Sequence, residues 1–132
     1  MRFLIAEDDA VSARVLKKIV ERFGDVETAE NGELAFDLFQ QKLDAGSPFD
    51  VIFLDIMMPE VGGQEALEAI REYEEMKGVD PAQGSKVIMV TALTDGGNIY
   101  QALRNSCVDY VTKPVSLDGI SRCLQRLGFQ PK

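Results

Sequence analysis

The stretch VIFLDIMMPE, residues 51–60, decides the fold class and contains a candidate reacting group. Four apolar residues run directly into the carboxylate of Asp55, and Pro59 follows four residues later. A continuous apolar run of this length is typical of a strand in a parallel sheet that is covered on both faces. An aspartate at the end of such a strand is either a turn residue or a functional group. Its role therefore depends on what lies at the ends of the other strands.

Short strand-type runs alternate five times with longer segments of helical periodicity. The strands are predicted at 2–6, 26–29, 51–54, 86–90 and 109–112, and the helices near 10–23, 32–43, 63–76, 97–105 and 116–127. The first, third and fourth strands are continuously apolar, whereas the second and fifth include polar residues, as edge strands do. This alternation predicts a three-layer, doubly wound α/β fold with a five-stranded parallel sheet.

Length and composition limit the number of domains and the kinds of partner that we expect for this chain. The 132 residues suit one domain, expected to cover 1–132 with a core at about 2–127. A net charge of −8 argues against a nucleic-acid-binding surface. The start, MRFLIAEDD, has too few apolar residues for a signal peptide, and no later stretch approaches a membrane span. We therefore expect a cytoplasmic protein that contacts neither membrane nor nucleic acid.

Two residue types narrow the chemistry further. Cys107 and Cys123 match no metal-binding spacing, so reduced thiols are expected. The chain contains no histidine. That excludes Ser-His-Asp catalysis, histidine metal ligands and a phosphohistidine on this chain.

Polar side chains stand at the carboxyl ends of four of the five predicted strands. They are Glu7, Asp8 and Asp9 after the first strand, Asp55 after the third, Thr91 after the fourth, and Lys113 with Pro114 after the fifth. Parallel α/β sheets bind ligands at this edge, and right-handed crossovers bring these strand ends together. The sequence therefore predicts one cluster of carboxylates, a hydroxyl and an ammonium group.

Such a cluster suits metal-dependent phosphoryl transfer. Crowded carboxylates repel each other, and a divalent cation removes the conflict. All-oxygen ligation without histidine or cysteine suits Mg²⁺. Beside the metal, Asp55 would act as the nucleophile that forms an acyl phosphate, and Lys113 would stabilise charge on the transferring oxygens.

Each of these residues has an ordinary structural explanation when it is taken alone. Acids before a helix are common N-caps, and an aspartate four residues before a proline is often part of a turn. The tripeptide Thr112–Pro114 is also typical of a turn. Several matches at strand ends, in the order that the fold requires, favour a shared site over these separate explanations.

The chain resembles the response-regulator receiver domain of two-component signalling over essentially its whole length. The matching motifs are LIAEDD, LDIMMPEVGG, VTALTD and DYVTKP. The resemblance implies a flavodoxin-like sheet of strand order 2-1-3-4-5. It also implies a stand-alone, chemotaxis-regulator-like receiver that takes a phosphoryl group from a phosphohistidine of a partner histidine kinase or histidine phosphotransfer protein. No enzyme activity is expected beyond Mg²⁺-dependent self-phosphorylation and slow autodephosphorylation.

The same resemblance assigns the metal and acceptor roles. Asp55 resembles the phospho-acceptor, and Glu7 and Asp8 resemble the acidic pair. In that register Asp8 and Asp55 are direct Mg²⁺ ligands, Glu7 acts through a water, and Asp9 lies just outside. The backbone carbonyl of Met57 would be a further ligand.

The resemblance also implies a switch. Lys113 resembles the lysine that pairs with the phosphoryl group, and the Lys113–Pro114 bond is expected to be cis. Thr91 would donate to a phosphoryl oxygen, and the Tyr110 ring would then turn inward. That movement would alter the face made by predicted helix four, strand five and helix five, where a downstream protein would bind. The family often dimerises through this face, so a homodimer stays open.

Three features depart from the family pattern. Ser106 and Cys107, which follow Asn105, stand where Gly-Ala is common, and this puts the switch geometry in doubt. Arg14 lies one residue later than the usual basic position, and the loop 77–85 is longer than usual. None of these features touches the proposed reacting positions.

Three other functions compete with this interpretation. A dehalogenase-type aspartyl phosphatase would need a second acid at Met57. A flavin-binding module would need a phosphate cradle where this chain has Glu7, Asp8 and Asp9, which would repel a phosphate. A receiver-like scaffold that is never phosphorylated stays open.

Overall fold

The fold is given by a computed structural model, which describes residues 1–56, 58, 61–91 and 109–132. Five strands form one sheet in the order β2-β1-β3-β4-β5, and every neighbouring pair is parallel. The strands are β1 (Arg2–Ala6), β2 (Asp25–Ala29), β3 (Val51–Asp55), β4 (Lys86–Thr91) and β5 (Asp109–Thr112). The predicted fold class, strand order and edge strands are thereby confirmed.

The described helices cover both faces of the sheet. They are α1 (Ala10–Val20), α2 (Gly32–Asp44), α3 (Gly63–Met76) and a C-terminal helix (Leu117–Arg126), with a short 3-10 helix (Pro81–Gln83) in the long loop before β4. The first turns of α1, α2 and the C-terminal helix are capped by the side chains of Asp9, Asn31 and Ser116. The helix predicted at 97–105 and the residues 105–107 lie outside the described residues.

Two apolar cores explain the layers. On one face, alternate residues of β3 such as Ile52 and Leu54 pack with α2 and α3. On the other face, Val51 and Phe53 pack with α1 and the C-terminal helix. Both faces of β3 are thus covered, which is why its sequence is continuously apolar. Full burial of a side chain such as Phe53 stabilises the fold by about 2 kcal/mol.

The prediction for the first helix was wrong at its C-terminal end. α1 ends at Val20 rather than at residue 23. The amides of Arg22 and Phe23 instead donate to carbonyls three residues earlier, as in a tightened last turn. Phe23 is nevertheless buried, because that turn directs its ring into the core. Because Phe23 is apolar and at helical spacing, the sequence pattern continued past Val20, where the helix ends.

Two strands extend one residue further than predicted. Asp55 pairs with Val90 as the last residue of β3, and Thr91 pairs with Thr112 as the last residue of β4. Both polar groups are therefore held by the sheet itself and not by a connecting loop.

None of the helices in the described ranges is long and apolar enough to cross a membrane.

Candidate functional site

The acceptor carboxylate lies at the carboxyl edge of the central strand. Asp55 is buried, and the amide of the next residue, Ile56, donates to the Val90 carbonyl at 3.0 Å. The strand ladder thus continues past Asp55 and fixes its backbone on the β4 side. A carboxylate held by a fully buried strand has little freedom to move away from its neighbours.

Glu7 lies directly after β1 and faces the same edge. Its amide donates to the Ala29 carbonyl at 3.0 Å, and its side chain is buried. Its Oε1 atom lies 2.8 Å from Lys113 Nζ. Its Oε2 atom is buried without a hydrogen-bond partner among the described residues. A buried carboxylate oxygen without a donor is costly, so this atom calls for an explanation.

Lys113 links the two carboxylates. Its amide donates to the Thr91 carbonyl at 2.7 Å, and its peptide bond to Pro114 is cis. The Nζ atom lies 3.0 Å from Asp55 Oδ2 as well as 2.8 Å from Glu7 Oε1. One ammonium group is thereby shared between two buried acids.

The ionisation of the site reflects this crowding. The pKa of Glu7 is raised to about 8, mainly by burial and also by contact with Asp55, while contact with Lys113 partly opposes both effects. Burial works against the charge on Lys113, but its contacts with Glu7 and Asp55 outweigh that effect and raise its pKa. Without a cation, a proton on Glu7 would make its contact with Asp55 a hydrogen bond.

The acidic residues suit a hard divalent cation. One carboxylate oxygen each from Glu7, Asp8 and Asp55 lies within 4.8 Å of the others. Asp8 is exposed and the other two are buried, so the cluster opens to solvent on one side. Oxygen-only donors and an unpartnered Glu7 oxygen match the preferences of Mg²⁺, which also keeps several waters. The carbonyl of Met57 lies outside the described residues.

The other predicted site residues divide into two groups. Asp9 caps α1 through its Oδ1 atom and accepts from the Ser12 hydroxyl, so it belongs to the helix and not to the acidic cluster. Thr91 is fully buried at the end of β4. Tyr110 is 40% exposed on β5. The structure therefore brings Glu7, Asp8, Asp55 and Lys113 together, with the Thr91 backbone bonded to Lys113.

Sequence reasoning missed the contact between Glu7 and Lys113. The lysine was predicted to pair with a phosphoryl group, and its pairing with a buried acid was not foreseen. The signal was present, because two adjacent acids after one strand require a counter-charge when one of them is buried.

The fold and site together define a class: a doubly wound parallel α/β protein with an acidic, lysine-containing centre at the carboxyl edge of its sheet. Residues 3–125 match the family model of the response regulator receiver domain. The chain belongs to this family.

Individual relatives agree with this assignment. The chain is 31% identical over 123 residues to the chemotaxis protein CheY of Listeria monocytogenes, covering 93% of this chain and 95% of that protein. It is 33% identical over 116 residues to hybrid signal transduction histidine kinase I of Dictyostelium discoideum, covering 87% of this chain and 6% of that protein. The chain spans less than half the length of several curated relatives that it matches.

A solved structure shows the same likeness. A chain in the co-crystal of the Saccharomyces cerevisiae histidine phosphotransfer signaling protein Ypd1 with the receiver domain of its downstream response regulator Ssk1 superposes with a TM-score of 0.80. The two chains are 26% identical, and the match covers 95% of this chain and 90% of that chain.

Proposed function

We propose that this chain is a response regulator that accepts a phosphoryl group from a phosphohistidine onto Asp55. The observation that supports this most strongly is the buried Asp55 carboxylate at the carboxyl end of β3, paired with Lys113 Nζ at 3.0 Å beside Glu7. An Asp55 oxygen would attack the phosphorus atom, the P–N bond to the imidazole would break, and the imidazole would keep the electron pair and take up a proton. The product would be an aspartyl phosphate.

Bound Mg²⁺ would neutralise charge on the transferring oxygens, as divalent cations do in phosphoryl transfer. Asp8 and Asp55 would bind it directly, Glu7 would act through a water, and the carbonyl of residue 57 would complete the protein ligands. Lys113 would keep Asp55 oriented before reaction and would pair with the new phosphoryl group afterwards. Its ammonium group suits this change of partner, because it is a compact charge on a flexible stem.

The phosphodonor would be a histidine kinase or a histidine phosphotransfer protein. Supporting this, the chain is similar to parts of histidine kinases and to a chain in a co-crystal of a receiver domain with a histidine phosphotransfer protein. One relative of similar length is a chemotaxis protein, which supports a role in signalling.

The donor would bind beside the reacting centre. A groove of about 350 Å³ is lined by Glu7 and Lys113, by Val90 of β4, and by residues of α1 and of the segment after β5 that are apolar apart from Ser12. Val11 and Val15 are exposed next to it, one turn apart on α1. Exposed apolar side chains at this spacing suit contact with a partner helix.

The charge of α1 favours an acidic partner. α1 carries three basic and no acidic side chains, at Arg14, Lys17 and Lys18, although the whole chain has a net charge of −8. Opposite charge at the rim of an interface speeds association and fixes orientation. A phosphohistidine protein with an apolar helix and an acidic rim would therefore fit this surface.

The output would follow phosphorylation. Thr91 would donate to a phosphoryl oxygen, and Tyr110, which is 40% exposed, would turn inward. That change would alter the face that includes β5 and the C-terminal helix, where a downstream protein or a second copy would bind. The part of this face predicted at 97–105 lies outside the described residues.

The test is intact mass after incubation with phosphoramidate, whose P–N bond resembles that of phosphohistidine. Wild type with Mg²⁺ should gain one phosphoryl group, and omission of Mg²⁺ or the substitution Asp55→Asn should prevent the gain. Asp44→Asn is the matched control, because Asp44 accepts from Tyr73 far from the site, and this variant should react as wild type does.

The opposite outcome is equally informative. Folded wild type that gains no mass with Mg²⁺ present would favour the unphosphorylated scaffold. A gain that persists in Asp55→Asn would place the acceptor elsewhere.

A further inference from the structure

We propose that Gly63 is a positioning residue for the phospho-acceptor, because its missing side chain lets the first turn of α3 lie directly against the backbone of Asp55. This inference rests on the proposed function and adds a residue that fixes the position of the Asp55 backbone. Gly63 touches no reacting atom and would act only through the backbone that carries Asp55.

The approach is too close for any side chain. A Cβ atom at position 63 would lie 2.3 Å from the Asp55 carbonyl oxygen, 2.9 Å from its carbonyl carbon and 3.0 Å from Ile56 Cα. Ordinary contacts begin at 3.4 Å, and all three atoms belong to backbone that cannot rotate away. Gly63 lies in helical backbone, which any residue adopts, so the contact and not the conformation requires glycine.

The acceptor strand and the helix are both held firmly at this contact. β3 is fully buried from Val51 to Leu54 and pairs with strands on both sides. α3 buries Ala66, Leu67 and Ile70 completely. A closely packed interior transmits a clash to its neighbours, since it has no room to absorb it.

Hydrogen bonds tie the connection between them at two more points. The Gly63 amide donates to the Ile56 carbonyl at 3.1 Å, which anchors the start of α3 one residue after Asp55. The Gly32 amide at the start of α2 donates to the Val61 carbonyl at 3.2 Å. A Cβ at position 32 would lie 2.4 Å from that same carbonyl oxygen. The first turns of two helices thus bond to Ile56 and to Val61.

A displaced Asp55 backbone would change the geometry of the reacting centre. Asp55 Oδ2 lies 3.0 Å from Lys113 Nζ, and its carboxylate shares a cluster 4.8 Å across with Glu7 and Asp8. Relieving the clash at position 63 requires a movement on the order of 1 Å, and such a misplacement costs up to about 100-fold in rate. We expect Gly63→Ala to lose at least about tenfold in phosphorylation rate.

The chain offers a closely matched control at the opposite end of the sheet. A Cβ at Gly24 would lie 2.4 Å from the Met1 carbonyl oxygen, 2.8 Å from Met1 Cβ and 3.0 Å from the Met1 carbonyl carbon. Gly24 immediately precedes β2, whose first residue pairs with the first residue of β1. Gly24→Ala therefore creates a clash of similar severity far from Asp55.

The experiment compares wild type, Gly63→Ala and Gly24→Ala in the full chain. Thermal unfolding measures the cost to the fold, and the initial rate of phosphoryl gain from phosphoramidate is measured with saturating Mg²⁺ at a temperature where all three are folded. Both variants should have lowered melting temperatures. Only Gly63→Ala should lose rate, and its half-saturating Mg²⁺ concentration should rise.

Two results would overturn the inference. One is a wild-type rate in folded Gly63→Ala, which would mean that α3 yields and the acceptor does not move. The other is an equal rate loss in Gly24→Ala, which would mean that lowered stability explains the effect.

If Gly63→Ala does not fold, Gly62→Ala replaces it. A Cβ at position 62 would lie 3.2 Å from the Ile56 carbonyl oxygen, a milder contact with the same segment. A loss of a few-fold in rate is expected there, and an unchanged rate would contradict the inference. A wild type that never gains a phosphoryl group would instead refute the proposed function, and this inference with it.

Discussion

Two buried glutamates lie at opposite ends of the sheet and are equally exposed. Both carboxylate oxygens of one accept hydrogen bonds, whereas one oxygen of the other has no partner among the described residues. Glu7 and Glu74 are each 6% exposed. At Glu74, near the start of β4, Oε1 accepts from Arg71 at 2.7 Å and Oε2 accepts from the Ser85 amide at 2.8 Å. At Glu7, Oε1 pairs with Lys113 and Oε2 has no partner among the described residues.

The difference separates an acid whose oxygens are all bonded within the protein from one that we propose is kept for a cation. Glu74 fastens the end of the long loop 77–85 to α3, and Gly84 packs so closely that a Cβ there would lie 2.8 Å from its Oε1. Every oxygen of Glu74 is satisfied by protein groups. Glu7 has one oxygen left over beside a second carboxylate, which is costly in a fold and useful in a cation site.

The largest effect of a substitution on stability is expected at Glu74, whose two carboxylate oxygens both accept hydrogen bonds. Glu74→Ala would leave the Ser85 amide and the half-buried Arg71 guanidinium without this partner, and we expect a loss of about 3 kcal/mol in the free energy of unfolding. Urea unfolding followed by circular dichroism measures this loss. A change below about 1 kcal/mol would mean that the network contributes little and that the contrast with Glu7 is weaker than described.

A comparable effect is expected from pH at the Glu7 end. Its pKa is raised from an ordinary 4.5 to about 8, mainly by burial. A group with a raised folded pKa stabilises the fold fully below its unfolded pKa, and this contribution is lost as pH rises through the folded pKa. Without Mg²⁺, the free energy of unfolding should therefore fall by about 3.5 kcal/mol between pH 5 and 8.

Glu7→Gln is the control for this slope, since glutamine does not titrate. The part of the slope that is missing in this variant belongs to Glu7. Identical slopes in wild type and Glu7→Gln, measured by urea unfolding at each pH, would show that Glu7 ionises normally in the folded chain.

The smallest effect is expected where an ion pair is exposed. Lys42 Nζ lies 3.4 Å from Glu27 Oε2, and both side chains are more than a third exposed. Lys42→Ala should change the free energy of unfolding by less than about 0.5 kcal/mol. A larger loss would mean that burial is not what distinguishes the important acids of this protein.

Much of the fold and the site could be predicted because both depend on local patterns. Continuous apolar runs marked the buried strands β1, β3 and β4, and polar residues marked the edges β2 and β5. Since parallel strands end at a common edge, the residue after each run was enough to bring Glu7, Asp55 and Lys113 together.

The missed features depend on contacts between distant parts of the chain. Glu74 follows the helical pattern as if it were an exposed acid, and its partner Ser85 lies beyond a loop whose path the pattern does not give. In the sequence, Gly63 is the second of two adjacent glycines, and the neighbouring residues do not indicate that it contacts Asp55. The end of α1 was misplaced because a buried Phe23 continues the apolar spacing through a turn.

The central claim is that the unpartnered acid at the carboxyl edge is kept for a cation, and Mg²⁺ calorimetry on three proteins tests it most directly. Wild type and Glu74→Gln should bind one Mg²⁺ with similar affinity, with Glu74→Gln less stable to urea. Glu7→Gln should unfold no more easily than wild type and should bind Mg²⁺ at least about tenfold more weakly. Unchanged Mg²⁺ affinity in folded Glu7→Gln would contradict the claim.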